Sequence, residues 1–255
     1  MSDPVTRELT EDGQIYRVRL ATPKANILDR QKILSLTQAF ETARESKDVK
    51  VVVLEAEGPH FSFGASVEEH LPGQFEQMIP AFHNMFRVML DSRVPIFAAV
   101  NGQCLGGALE LVSLCHRVFA SPSAKFGQPE IQLGVFAPVA SVFLVERIGR
   151  GAAEDLCLSG RTILADEALR TGLIDAMVEN PSDAAVEWAR AHYLQRSASS
   201  LRHAVAAVRH GLDRRFRRDL ADVEALYVND LMSTGDAQEG LKAFIEKRTP
   251  QWSNQ

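Results

Sequence analysis

The chain has 255 residues, 45% apolar and 24% charged, which is ordinary for a soluble globular protein and enough for one large core or a core with a smaller appendage. A net charge of −5 gives no global field for nucleic acid or an anionic membrane, so neither is expected as a partner. Cys104, Cys115 and Cys157 form no CxxC pair, no stretch nears the roughly 20 apolar residues of a membrane span, and the polar start MSDPVTRELTEDG is unlike a signal peptide; a reduced, cytoplasmic setting is expected.

Residues 14–22, QIYRVRLAT, alternate apolar and polar side chains and predict a half-buried strand. PKANILD follows as a loop, and Ile33, Leu36, Ala39, Phe40 and Ala43 recur at helical spacing through 30–46. Residues 49–58, VKVVVLEAEG, are a β-branched run that predicts a buried strand ending in a turn. FSFGASVEEHLPG, 61–73, reads as a loop entering a helix. The apolar stripe of 74–92 predicts another helix, which Pro80 would break in two. PIFAAVNG, 95–102, is the next buried strand, with a helix over GGALELVSLCH behind it. Residues 117–134 read as short strands and turns. Helical patterns then dominate: 153–160, 165–172, one long segment 183–212, then 219–234 and 236–248. Strand–helix units first and helices last predict an α/β core of about 190 residues with a helical C-terminal module. The apolar positions of that module need a neighbour, its own core or another subunit's.

The stretch NGQCLGGALELVSLCH, 101–116, carries the first chemical signal. Two glycines, Gly106 and Gly107, open a helix although each costs roughly 1 kcal/mol relative to alanine. A strand feeding such a start presents unpaired N–H groups and the positive end of the helix dipole, so it suits an anion or oxyanion. It is neither a G-x-G-x-x-G nor a G-K-[ST] motif. Gly64–Ala65 repeats the arrangement upstream, and two N–H donors from two loops could clamp one carbonyl oxygen; each could equally be only a tight turn. Glu110 lies one turn inside the helix, and Glu130 follows Pro129 in a loop flanked by apolar residues. Two carboxylates converging on a water could share its protons as general acid and base, or could be two ordinary surface glutamates.

The ordered set PKAN, GPHFSFGAS, NGQCLGGALELV, KFGQPEIQLGV and FIEKR spans nearly the whole chain and resembles the crotonase, or enoyl-CoA hydratase/isomerase, superfamily. The resemblance implies a crotonase spiral core of β-β-α turns over 1–190 and a helical C-terminal trimerisation module over 191–255. It implies an acyl-CoA substrate, a homotrimer or a hexamer of paired trimers, and no cofactor beyond the coenzyme A of the substrate. It places an oxyanion hole at the N–H groups of Ala65 and Gly107 and the two catalytic glutamates at Glu110 and Glu130. Glu110 would activate water and Glu130 deliver the proton. Lys24 and Ala25 fall in the loop that closes over coenzyme A, and Phe244 and Lys247 on the last helix that meets its adenine and phosphates. Retention of both glutamates favours water addition or elimination.

The chain departs from the common pattern at Ser66, where the family often has Asp, and at GVFAPVASVFLVERIG, where the family is Gly-rich. FSFGASVEEHLPG, GQCLGG and FGQPEIQLGVFAP most resemble the branch that hydrates cyclic dienoyl-CoA thioesters in anaerobic aromatic degradation. Phe61, Phe63, Ser66, Phe82, Phe86 and Phe136 would then shape a pocket for a flat six-membered ring, although core packing is the plainer role of any one phenylalanine. A generic 2-enoyl-CoA hydratase, a double-bond isomerase and a non-catalytic RNA-binding relative are the alternatives. Cys104 with His116 has no role in the resemblance, and His60, His70 and His83 lack metal-ligand spacing, so no metal is expected. The basic run RHGLDRRFRR, 209–218, reads as a solvated helix face rather than an RNA contact.

Overall fold

The computed structural model describes residues 3–255. Its first half runs β1 (Val5–Thr10), β2 (Ile15–Leu20), α1 (Arg30–Glu45), β3 (Val51–Ala56), α2 (Phe75–Ser92), β4 (Ile96–Val100), β5 (Gln103–Leu105), α3 (Gly107–Ser113), β6 (Arg117–Ala120) and β7 (Lys125–Gly127). The second half runs α4 (Pro138–Ile148), α5 (Arg150–Ser159), β8 (Thr162–Leu164), α6 (Ala165–Thr171), β9 (Ala176–Met177), α7 (Pro181–His192), α8 (Ala198–Val208), α9 (His210–Ala225) and α10 (Gly235–Ile245). A larger sheet has the order β1-β2-β3-β4-β6-β9, parallel throughout except for the β1–β2 hairpin. Helices cover both faces of such a sheet, and β4, IFAAV, is accordingly buried along its whole length.

A smaller sheet, β5-β7-β8, is extended by single bridges between Ser62 and Cys104 and between Leu28 and Ala65. Each turn of the chain therefore lays one strand in the large sheet and one short strand in the small sheet, then closes with a helix. β4, β5 and α3 form one such turn; β6, β7 and α4 form the next. This is the expected α/β spiral of β-β-α turns. The small sheet matters for function because it sets the starts of successive helices side by side.

Several elements differ from the sequence reading. Pro80 lies inside an unbroken α2. It sits in the second turn, where the missing N–H removes one bond near the helix start, and the buried face through Met78, Phe82 and Met85 holds the rest. The segment 183–212 is not one helix. α7 ends at a turn where Leu194 N–H returns to the Ala189 carbonyl, and Ser197 caps α8 through its side chain. α8 and α9 then part at Arg209, whose guanidinium turns inward onto the Leu114 carbonyl at 2.7 Å. α4 was not anticipated, because PVASVFLVERI is nearly continuous in apolar residues and shows little helical period. Pro138 at its first turn is the signal that marks it. Strands β5, β8 and β9 are two or three residues long and carry no period of their own.

α9 joins the main core through Phe216 and Leu220. Phe216 stacks on Phe143 of α4 at 4.2 Å and touches Phe86 of α2. The C-terminal segment thus closes over the same interior as the spiral, and Tyr227, Met232 and Leu241 are buried in it. Val208, Leu226 and Phe244 remain 85%, 51% and 55% exposed. Among the described residues no helix is long and apolar enough to cross a membrane.

Candidate active site

A cavity of about 570 Å³ opens where the small sheet meets the helix starts. Its walls come from the 63–68 loop, the 105–110 loop and helix start, the 129–138 segment and α10 with the residues after it.

The first two walls are brought together by the small sheet. Leu28 N–H donates to the Gly64 carbonyl at 2.9 Å, and Ser66 N–H donates to the Leu28 carbonyl at 3.2 Å. In that parallel bridge the N–H of Ala65 points away from the ladder. Gly107 begins α3, so its N–H has no partner within the helix. Among the described residues neither N–H donates to a protein acceptor. A Cβ placed on Gly107 would lie 3.3 Å from the Ala65 nitrogen and 3.0 Å from Cζ of Phe82. The two N–H groups thus flank one small space, and a side chain at 107 would intrude on it. Gly106 is required for a separate reason: its φ of +54° is left-handed, and a Cβ there would lie 2.7 Å from Glu130 Oε1. The glycine pair therefore leaves room for both the N–H groups and the Glu130 carboxyl.

Glu110, in the first turn of α3, is 3% exposed. Its Oε1 accepts the Ala140 N–H at 2.8 Å. That N–H belongs to the first turn of α4, a helix start whose dipole favours negative charge. Burial raises the Glu110 carboxyl above the ordinary carboxylate range, and the N–H groups of Ala140 and Val139 partly offset that rise. Glu130 sits in the 3-10 turn Pro129–Leu133. As a residue it is half-buried, but its Oε2 is sealed from solvent and has no hydrogen-bond partner. Burial raises its carboxyl strongly, and the charge of Glu110 raises it further. Two buried carboxyls that interact this way titrate as a pair, the first ionisation holding back the second.

The raised pair has a consequence for stability. A carboxyl whose folded pKa lies above its unfolded value of about 4.3 contributes fully below that value, and the contribution is lost as pH rises through the folded pKa. Glu130→Gln removes the buried ionisation and relieves Glu110 as well. Its Tm is expected to lie nearer that of the unmodified protein at pH 5 and to rise above it by about 3–6 °C more at pH 9. Calorimetric melts across that range check this; a variant less stable at pH 9 than at pH 5, relative to the parent, would refute the buried-pair description.

Of the anticipated acyl-pocket residues, Phe63, Ser66, Phe82 and Phe136 line the cavity. Phe61 and Phe86 do not; both are fully buried in the core. Phe61 N–H pairs with the Asn101 carbonyl along the ladder, while Phe86, one turn beyond Phe82 on α2, packs on Phe82, Phe143 and Phe216. Phe244 lines the cavity, but Lys247 is exposed outside it, and Arg248 stands on the wall instead. Arg248 lies in the same FIEKR motif, so one further position would have found it; it is held by Glu239 and Glu246. Lys24 is exposed on its loop, and the Ala25 carbonyl accepts Phe63 N–H at 3.0 Å; neither residue lines the cavity, but Ile27 of the same loop does. The Ala140 N–H that orients Glu110 was missed with α4.

Cys104 is fully buried and burial pushes its thiol well up, which leaves no thiolate for nucleophilic chemistry. His116 is occupied, its Nδ1 accepting Ile96 N–H at 3.0 Å. In the basic run, Arg215 pairs with Glu146, Arg217 with Asp91 and Asp213, and Arg218 with Asp219.

Two unpaired N–H groups and two protonatable carboxyls lining one cavity of a β-β-α spiral suit acid–base chemistry beside a polarised carbonyl. The chain belongs to the enoyl-CoA hydratase/isomerase family, which it matches over residues 10–255. It is 51% identical over 253 residues to a cyclohexa-1,5-dienecarbonyl-CoA hydratase of Thauera aromatica, covering 99% of this chain and 98% of that one. It is 31% identical over 252 residues to a 2,3-dehydroadipyl-CoA hydratase of Escherichia coli K12, covering 95% and 96%. The crystal structure of an enoyl-CoA hydratase from Mycobacterium avium superposes with a TM-score of 0.84 at 28% identity, covering 99% and 100%.

Proposed function

We propose that this enzyme adds water to a cyclic conjugated dienoyl-CoA, converting cyclohexa-1,5-diene-1-carbonyl-CoA to 6-hydroxycyclohex-1-ene-1-carbonyl-CoA. The observation that carries the reading is 51% identity along the whole chain to the Thauera aromatica hydratase, against 31% to a hydratase named for an open-chain thioester. The cavity is in keeping with it. Phe63, Phe82 and Phe136 offer ring faces and edges to a flat ring, and Ala65, Gly107, Glu110 and Glu130 line the same cavity.

In this reading the thioester oxygen sits between the N–H groups of Ala65 and Gly107. Glu110, fixed by Ala140, takes a proton from water as its oxygen bonds to the β-carbon. The electron pair moves into a dienolate held by the two N–H groups. Glu130 gives its proton to the far end of the diene, which leaves one double bond conjugated to the thioester. The addition is 1,4, and the pair ends with the same total of one proton.

The coenzyme A portion would leave past Phe244, with Lys247 and the Lys24–Ala25 loop nearby. The helical segment 191–255 would also serve as the assembly module of a homotrimer or hexamer, its exposed Val208 and Leu226 being surface that a neighbour could cover. A substrate panel tests the main reading. The ring dienoyl-CoA is expected to turn over with a kcat/KM at least about tenfold above that of crotonyl-CoA. Faster hydration of crotonyl-CoA would remove the ring assignment and leave an ordinary enoyl-CoA hydratase.

A further inference from the structure

Two polar atoms near the carboxyl pair are buried without a partner: Oε2 of Glu130 and the hydroxyl of Tyr227. Buried polar groups are nearly always satisfied, and an orphan in a native fold calls for a physical account. Here one orphan is an acceptor when ionised and the other is a donor.

The chain brings them toward each other. Tyr227 is 1% exposed and stands edge-on to Phe136, with ring centroids 5.2 Å apart. Phe136 lines the cavity, and it directly follows Val135, whose N–H donates to the Glu130 carbonyl at 3.2 Å. Tyr227 is therefore packed on the same tight turn that carries Glu130. The C-terminal segment holds that turn closely: a Cβ on Gly240 would collide with the Leu133 carbonyl. Tyr227 itself falls in a π-helical turn, Leu226–Asp230, that interrupts the end of α9. Such turns shift the register by one residue and recur at functional sites. Burial raises the Tyr227 phenol, and the charges of Glu130 and then Glu110 raise it further, so it stays protonated and can act only as a neutral donor to them.

Resting on the hydratase reading above, we infer that Tyr227 is a positioning residue of the acid–base pair, its hydroxyl donating through one bridging water to Oε2 of Glu130. A water with these two partners and the facing Glu110 would satisfy both orphans. The bond holds the Glu130 carboxyl in one orientation and favours its ionised form, so that it releases its proton more readily. The other titratable groups around Glu130 are Glu110 on α3 and the half-buried Cys157 thiol on α5, which burial and then the charges of Glu110 and Glu130 push up to about 12. Glu68, His70 and Arg248 line the same cavity.

Tyr227→Phe keeps the ring against Phe136 and removes only the donor. It is expected to lower kcat about tenfold with KM for the thioester unchanged, and to move the alkaline limb of kcat up by about one pH unit. Replacing Tyr227 with 3-fluorotyrosine, a stronger donor of the same shape, should move the limb the opposite way. Carbon-13 carboxyl NMR of the protein without substrate should show the Glu130 titration displaced upward in Tyr227→Phe, and this holds whichever thioester the enzyme prefers. Failure of the ring substrate alongside a displaced Glu130 titration would sink the substrate reading and leave the Tyr227 role intact. An unmoved Glu130 titration, or a raised KM with an unmoved alkaline limb, would overturn the Tyr227 role. A Tyr227→Phe protein that does not fold shifts the decision to the 3-fluorotyrosine protein, where an unmoved limb overturns it equally.

Discussion

Glu110→Gln and Glu130→Gln should each lower kcat by about two or more powers of ten, roughly the worth of acid–base catalysis. Each change keeps the side-chain shape and removes the titration, so the cavity is retained while the proton path is cut. The two losses should not add. Either variant alone breaks a relay in which one carboxyl must be ionised and the other protonated, so the double variant should resemble the worse single one. Their pH behaviour should differ. Glu110 has a fixed donor, Ala140 N–H at 2.8 Å, which supports the ionised form, whereas Glu130 Oε2 has no protein partner. In the unmodified enzyme the rate should fall on the alkaline side as the pair loses its last proton, because both carboxyls are raised by burial. Turnover of the ring substrate in deuterium oxide should place the label on the distal diene carbon. Label on the α-carbon, or near-normal hydration by either Gln variant, would overturn the assignment of roles.

Gly107→Val is expected to reduce kcat/KM by about a hundredfold or more while the protein stays folded. The Cβ position is already 3.3 Å from the Ala65 nitrogen and 3.0 Å from the Phe82 ring. The further methyl groups of valine would stand where the thioester oxygen must lie to reach both donors. Gly107→Ala should lose less, because a modest turn of the Phe82 ring accommodates one methyl. Circular dichroism and a melt would report the fold, and steady-state kinetics the loss. Full activity in Gly107→Val would show that the Ala65 and Gly107 donors do not hold the reacting oxygen.

Much of this site is legible in the amino-acid order because local rules act there. Two glycines at a helix entrance contradict helix propensity, and that conflict marks a place where backbone must come close to something. The strands VVVLEA and IFAAV declare themselves through continuous apolar residues, since both faces of a parallel sheet are covered. What was illegible depends on neighbours distant in sequence. Phe61 and Phe86 share composition and spacing with Phe63 and Phe82, and only the path of the ladder and one helical turn divide cavity wall from core. α4 hides because its all-round apolar sequence carries no stripe, so the N–H that orients Glu110 could not be foreseen. Tyr227 owes its inward direction to a one-residue register shift in a π turn, which no periodicity in the sequence announces.

The large sheet grows in the order in which its strands are synthesised, β1, β2, β3, β4, β6 and then β9, each laid beside its predecessor. A chain leaving the ribosome can therefore add each strand to an existing edge without waiting for a strand not yet made. The binding cavity obeys a different schedule. Glu110 and Glu130 emerge well before Tyr227, Gly240 and Phe244, which follow Glu130 by roughly a hundred residues. Translation thus yields the sheet before it yields an enclosed cavity, so a chain stopped short of Tyr227 is expected to pack its spiral and remain chemically inert.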